Sequence, residues 1–478
     1  MAEIPNDSPS TTSIPPLTWR LVIMLSIPAL AQQGLAFSVL LSDRWLASHL
    51  KVETAQSDVQ AAQTTAHYLA WFISCYNILV TVGSTALVAR AIGAGNRKLA
   101  VEATHQSLIL AVILGALATA WAFLGGIRWM VDLLQLRGEA ANYAVAYLMP
   151  LFGLLVFQTI EVAGIACLVG MGDTRTGLWV TTGVAVLNVP LAWCFGWGIG
   201  PFPNLGFVGI AVGTALSHVL GGGAVLFFLA CGRNGVKLEL AMFPPRLDLL
   251  YRLLRISVPA GFDSLSIVVG QFWFLGIINT LGNDASSAHG IALMWEGLGY
   301  LSGAAFGTAA MTLVGQNLGA GRPDQATRAG WMAFALGCGV MSAMGVIFFV
   351  FAPEMFSVFS REESIIKAGV PSLRLIAFAM PPLASTIVLT SALRGAGDTR
   401  VPVIFTWVGF FVVRIPLAYY LALAHTSLYV PIVGVSFELE GLNLGLVGCW
   451  LAMSADIVIR GIFFLGRFLR GAWRHQSV

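Results

Sequence analysis

The chain has 478 residues, of which 57% are hydrophobic and only 10% charged, with 29 Phe, 14 Trp and a formal net charge of +3. A soluble domain carries roughly a quarter charged residues, so this chain lacks the charge to cover a surface facing water. The composition excludes a secreted disulfide scaffold, a disordered chain and a β-barrel of alternating strands. The small net charge, without a basic run, also excludes a nucleic-acid partner.

What remains is an all-α integral membrane protein whose length accommodates about a dozen spans of ~20 apolar residues. Residues 1–16 are rich in Ser, Thr and Pro and lack a basic n-region, which predicts a disordered tail and no cleaved signal peptide. Apolar runs of spanning length follow at 17–42, 66–91, 104–127, 142–169, 177–199 and 206–231, making a first six-helix lobe over 17–231. The stretch 232–251 opens with Gly232-Arg-Asn-Gly235, contains Pro244-Pro245, and reads as a linker. Runs at 252–281, 286–316, 328–352, 370–393, 401–423 and 444–468 make a second lobe over 252–470, and 471–478 is a short tail. On one side of these spans the loops carry seventeen Lys or Arg and on the other side six. The positive-inside rule then puts both termini and the linker in the cytoplasm. The six cysteines lie in or beside apolar runs, with no metal or redox spacing, and read as small buried hydrophobes.

The two lobes repeat. Gly170-Met-Gly-Asp-Thr-Arg175 recurs as Gly395-Ala-Gly-Asp-Thr-Arg400, and Gly93-Ala-Gly95 as Gly319-Ala-Gly321. Val189-Pro-Leu-Ala192 recurs as Ile415-Pro-Leu-Ala418, and Leu25-Ser-Ile-Pro-Ala29 as Ile256-Ser-Val-Pro-Ala260. Six crossings per lobe return the chain to the side where it began. The repeat is therefore parallel, about an axis along the membrane normal, and the cleft between lobes is the expected binding site.

These paired turns, with Pro28 and Asp43 in the first span, Leu187-Asn188 in the fifth, and Gly206-Phe-Val-Gly209 and Thr214 in the sixth, resemble the MATE family. These are the multidrug and toxic compound extrusion transporters, and the NorM-like bacterial branch is the nearest match. The resemblance covers about 17–470. It implies two lobes that open alternately to either side of a bacterial cytoplasmic (inner) membrane, exporting a compound in exchange for an inward H⁺ or Na⁺. It also implies a coupling carboxylate at Asp43, supported by Asn188 and Thr214, with Na⁺ near Asp43 as one form of the site. No other metal and no cofactor is implied. Two departures stand out. Ala192 occupies the position where some relatives carry a second carboxylate, and the tenth span has no acid. Asp263, in the seventh span, lies one turn nearer its proline than the usual acid.

A charge at mid-bilayer costs at least ~2.5–3.5 kcal/mol on the insertion scale, so each one requires a reason. Loss of water favours a neutral acid, which makes a buried carboxylate a usable proton carrier. Asp43, fifteen residues after Pro28, has this reading, against that of a helix-end acid paired with Arg44. Pro28, and Pro259 in the second lobe, are candidate hinges because proline removes a backbone hydrogen bond. Glu161 sits mid-span and is either a second coupling group or a carboxyl bonded to a neighbouring helix. Asp263, which the repeat sets opposite Gln32, and Glu296, seven residues after His289, are further candidates for ion coupling or substrate binding. Asp456 and Arg460, at i and i+4, read as an intrahelical ion pair. Arg414 reads as a lobe-specific counter-charge, and His218 and His289 read as satisfied core histidines, with proton relays as the alternative. Asp173 and Asp398 are placed to cap the helices after their turns, not to hold phosphate. Trp71, Phe72, Trp273, Phe274 and Trp295 either line a compound-binding cavity or pack.

No Gly-x-x-x-x-Gly-Lys-[Ser/Thr] nucleotide loop occurs, which excludes a primary pump, and no zinc motif or nucleophile elbow suggests an enzyme. The function expected is secondary efflux of amphipathic, mostly cationic compounds by a monomer in the lipid bilayer. The alternative is a flippase for lipids or lipid-linked oligosaccharides with the same two-lobe build. Its anionic cargo would call for a cavity rich in Arg and Lys, whereas the mid-span charges here are mostly acidic.

Overall fold

In hydrocarbon every backbone N–H and C=O must be paired within its own segment, so runs that are apolar on all sides become helices. A computed structural model describes residues 16–50, 56–134, 136–232, 237–238, 244–430 and 435–476. Nearly all of the expected N-terminal tail, the tip of the 232–251 linker and the last two residues lie outside these. The spans are α1 (Trp19–His49), α2 (Gln56–Gly93), α3 (Arg97–Leu133), α5 (Thr174–Trp197), α6 (Gly206–Ala230) and α7 (Leu247–Asn279). They continue with α8 (Asn283–Gly319), α9 (Pro323–Val350), α10 (Glu363–Gly395), α11 (Arg400–Ala422) and α12 (Gly445–Arg470). The remaining span, α4, is a bent pair, Gly138–Gly153 and Leu155–Gly170, at 53°. Pro150 and Gly153 precede the break, and both weaken a helix. Among the described residues this makes eleven single spans and one broken pair, the twelve expected.

Connections follow from local chemistry. The four repeated turns share one backbone form, with Gly95, Gly172, Gly321 and Gly397 at φ 69°, 87°, 68° and 82°. In each, the following N–H reaches back across the turn: Asn96 N to Ala91 O, Asp173 N to Leu168 O, Arg322 N to Asn317 O and Asp398 N to Leu393 O. Positive φ suits glycine, which has no Cβ, and this cap satisfies the last carbonyls of the helix. The sequence reading left 424–443 as a plain connection. It contains a hairpin, β1 (His425–Val430) antiparallel to β2 (Val435–Glu440), with His425 opposite Glu440. Its period-two run, Val-Ser-Phe-Glu-Leu-Glu, is the signal that favours strand.

The chain packs as two compact units. The first comprises Met1–Ser257 and Met311–Ala329, the second Val258–Ala310 and Gly330–Ser477. The division falls inside α7 and α8 instead of at the linker. Leu249 and Leu253, at the start of α7, are buried with Val88, Cys167 and Val225. Ser257 Oγ accepts from Gly83 N at 2.8 Å, and Gln316, near the end of α8, donates to Gly170 O at 3.0 Å.

Two apolar layers make the core of the first unit. One contains Leu46, Ala62, Phe152, Leu155, Ala192, Phe207 and Ile210. The other contains Leu87, Ala103, Ile160, Ala163, Val180, Val225 and Leu229.

Candidate functional site

Asp43, Glu161, Asn188, Thr214 and His218 form the polar stretch of the first unit. On α6, Ala211 belongs to the first layer and Val225 to the second, and Thr214 and His218 lie between them. On α5, Asn188 lies between Val180 and Ala192. On α4, Glu161 is flanked by Ile160 and Ala163 of the second layer.

Asp43 is buried, and its Oδ2 accepts the Thr214 hydroxyl at 2.8 Å. The Thr214 oxygen in turn accepts from Asn188 Nδ2 at 2.8 Å, which orients the hydroxyl proton toward the carboxylate. Two buried acceptors, Asp43 Oδ1 and Asn188 Oδ1, have no hydrogen-bond partner. An unpaired buried acceptor is costly, and both oxygens would be served by a proton carried on Asp43 or by a small cation held between them. α1 runs on to His49, so Asp43 lies within the helix and not at its end, and Thr214, not Arg44, is its partner. Gln63 of α2 donates to the Asp43 carbonyl at 3.0 Å and fixes this stretch of α1.

Glu161 Oε2 meets His218 Nδ1 at 2.8 Å. His218, read from the sequence as a satisfied core histidine or a proton relay, is bonded to a buried carboxylate. It stands four residues after Thr214, so α6 presents both donors on one face. That spacing was the available signal. The partner, 57 residues away, carried none.

In the second unit Asp263 Oδ2 accepts from Arg394 Nη2 at 2.8 Å, while its Oδ1 is unpaired. Glu296 is half-buried, and its Oε2 is sealed without a partner, within electrostatic reach of Arg414 and Arg460. Asp456 is fully buried and shared by two arginines. Arg460 Nε and Nη2 bind its two oxygens at 2.6 and 2.7 Å, and Arg414 Nη2 binds Oδ2 at 2.6 Å. The expected i,i+4 pair is therefore present, and Arg414 completes it as a triad. Both guanidiniums stack on Phe410, at 4.0 and 4.9 Å from its ring centre. His289 packs edge-on to Phe274 and Trp450, but its Nδ1 is buried without a hydrogen-bond partner, so it is not the satisfied histidine expected.

Other expectations divide. Asp173 caps α5, accepting from Thr176 N at 3.0 Å. Asp398 does not cap α11. Its Oδ2 binds Arg467 of α12 at 2.8–2.9 Å, because a guanidinium is a stronger partner than a backbone N–H. Phe274 is fully buried and packs in the core of the second unit, and Trp295 donates to the Met355 carbonyl. Trp71, Phe72 and Trp273 keep exposed faces. Cys231 is exposed at the end of α6, unlike the other cysteines, which are buried or half-buried. Pro28 and Pro259 are accommodated inside continuous helices. Among the described residues no three His, Cys, Asp or Glu side chains come together to hold a metal ion.

The MatE family model matches residues 28–194 and again 259–420. A relative from Thermotoga maritima, described as a probable multidrug resistance protein NorM, is 28% identical over 462 residues, 96% of this chain and 93% of its own length. A probable multidrug resistance protein NorM from Deinococcus radiodurans is 28% identical over 86% of each chain. A solved outward-facing conformation of a multidrug resistance MATE family transporter of the MOP superfamily has a TM-score of 0.83 at 22% identity, over 96% of this chain and 97% of its own. With one family match on each half, each spanning that half's copies of the duplicated glycine turns, the chain belongs to the MatE family and is a multi-pass membrane transporter, not an enzyme.

Proposed function

We propose that the protein is a secondary active efflux transporter that exports amphipathic, mostly cationic compounds in exchange for inward H⁺ or Na⁺. It is a monomer in a bacterial inner membrane, with both termini in the cytoplasm, and needs no cofactor beyond the coupling ion. The observation that carries this reading is the buried Asp43 carboxylate, bonded by Thr214, with its own Oδ1 and the Oδ1 of Asn188 unpaired. A group of this kind has one stable state with an ion bound and one without, which is what exchange requires. Expelling a monovalent cation against an inside-negative potential costs ~2.3 kcal/mol per 100 mV, and an inward ion released from Asp43 supplies it. A bond change at Asp43 acts on the same helix as Pro28, the candidate hinge of α1. NorM relatives named for multidrug resistance support the cargo class. Against the flippase reading, the buried arginines Arg414 and Arg460 are already bonded to Asp456 and leave little charge for an anionic cargo.

The test is dye movement in proteoliposomes. With a proton gradient and no sodium, the wild type should move ethidium, and Asp43→Asn should abolish that movement. Movement that appears only with sodium assigns Na⁺ as the coupling ion. Equal movement by wild type and Asp43→Asn would remove Asp43 from the mechanism.

A further inference from the structure

The Glu161–His218 pair has no part in the exchange just described, yet it is assembled with care. Its carboxylate comes from α4 and its imidazole from α6, and they meet at 2.8 Å. Gly221, three residues after His218 on the same helix, makes the room: a Cβ there would stand 2.6 Å from Glu161 Oε2 and 2.8 Å from its carboxyl carbon. Gly222, beside it, lets α6 approach the Phe157 carbonyl, where a Cβ would stand 2.7 Å away. Among the described residues the ion-pair partner of Glu161 is His218, with no arginine or lysine on it. The pair therefore differs in kind from Asp263–Arg394 and Asp456–Arg414–Arg460, whose cations keep their charge at all physiological pH values. An imidazole is the side chain whose proton comes and goes in that range. The His218 side chain is 22% accessible against 6% for Glu161, so the member of the pair that would gain a proton is the one left open.

The pair also lies one helical turn from the Asp43 site. Thr214 and His218 are i and i+4 on α6, one bonded to Asp43 and the other to Glu161. The titratable groups around this stripe are Asp43 from α1 and, from α4, Glu161 and Tyr147, the latter close enough to interact with Asp43. From α5 comes the neutral Asn188. The helices packed behind α4 bring Tyr76, bonded to the Leu114 carbonyl, His105, bonded to the Val101 carbonyl, and the buried thiol Cys75, and α4 itself carries the buried thiol Cys167.

We infer that Glu161 and His218 form a second proton-carrying site, in series with Asp43 along one face of α6, so that the first unit exchanges two protons per cycle, not one. With the imidazole neutral the pair carries one negative charge. A proton arriving at His218 Nε2 gives an imidazolium–carboxylate pair of net charge zero, and its departure restores the first state. Nothing else is made or broken. The inference rests on the proton-coupled form of the reading above.

Purified full-length protein in detergent, weakly buffered with a pH indicator, is mixed with tetraphenylphosphonium, and protons released per bound cation are counted from pH 6 to 8. The wild type should release more than one, up to two. Asp43→Asn should lose part of the release, and Glu161→Gln should lose the complementary part, about half each. His218→Asn retains an amide that can bond Glu161 but cannot titrate, so it should behave as Glu161→Gln and decides the matter if that variant folds poorly. Wild-type release that is unchanged by Glu161→Gln and His218→Asn but abolished by Asp43→Asn overturns the second site and leaves the first. No release from the wild type overturns proton coupling, and the inference falls with it.

Discussion

Asp43, Glu161 and Asp456 are all acids taken out of water, and each is kept there by a different replacement for it. Asp456 has two arginines on it, both buried, in an interior where the removal of one partner leaves unpaired charge. Asp456→Asn should therefore cost about 3–5 kcal/mol, read as a large fall in the thermal unfolding midpoint in detergent. Asp43 has only a neutral hydroxyl donor on it, and an asparagine oxygen accepts the same bond. Asp43→Asn should stay within about 1 kcal/mol of wild type in that assay, even though transport is lost. The pair of results separates a charge that holds the fold from one held ready to change. Of these partnerships the sequence displayed only the local one, Asp456 with Arg460, because a helix brings i and i+4 together wherever it forms. Arg414 with Asp456 spans 42 residues and Thr214 with Asp43 spans 171. Only the resemblance to a family joined Asp43 to Thr214, and nothing in the chain announced Arg414 on Asp456 or His218 on Glu161.

At the scale of the helices, the repeated glycines do two jobs that look identical in sequence. Gly95 and Gly321 provide positive φ at a turn with open space around them. Gly93 and Gly319 permit close approach: a Cβ on Gly93 would overlap the Gln316 carbonyl oxygen, and a Cβ on Gly319 would overlap the Arg90 carbonyl oxygen. The ends of α2 and α8 thus touch backbone to backbone, each at its own copy of the motif. Gly93→Ala and Gly319→Ala should each destabilise by about 1–3 kcal/mol through overpacking, with the loss largely shared in the double variant because both relieve the same contact. Gly95→Ala should cost about 1 kcal/mol from backbone strain alone, and Gly34→Ala, with nothing within 4 Å, should cost nothing measurable. Unfolding midpoints of the four variants check this order.

For the molecule as a whole, the loop charges make a prediction the helices alone do not. Seventeen Lys or Arg on one side against six on the other predict that both termini face the cytoplasm. A C-terminal green fluorescent protein fusion should fluoresce and an alkaline phosphatase fusion at the same point should be inactive; the reverse result would invert the topology. The number of spans, their helical form, the tight turns and the internal repeat were all present in the sequence, since each depends on local composition or on spacing along the chain. The amide groups of an apolar run have no partner in lipid except one another, so twelve such runs had to become helices. The tertiary structure alone decided which charges meet, that the compact units divide within α7 and α8, and that Asp398 turns from its own helix to Arg467. Those outcomes depend on side chains brought together from distant segments, where distance in space is independent of distance along the chain.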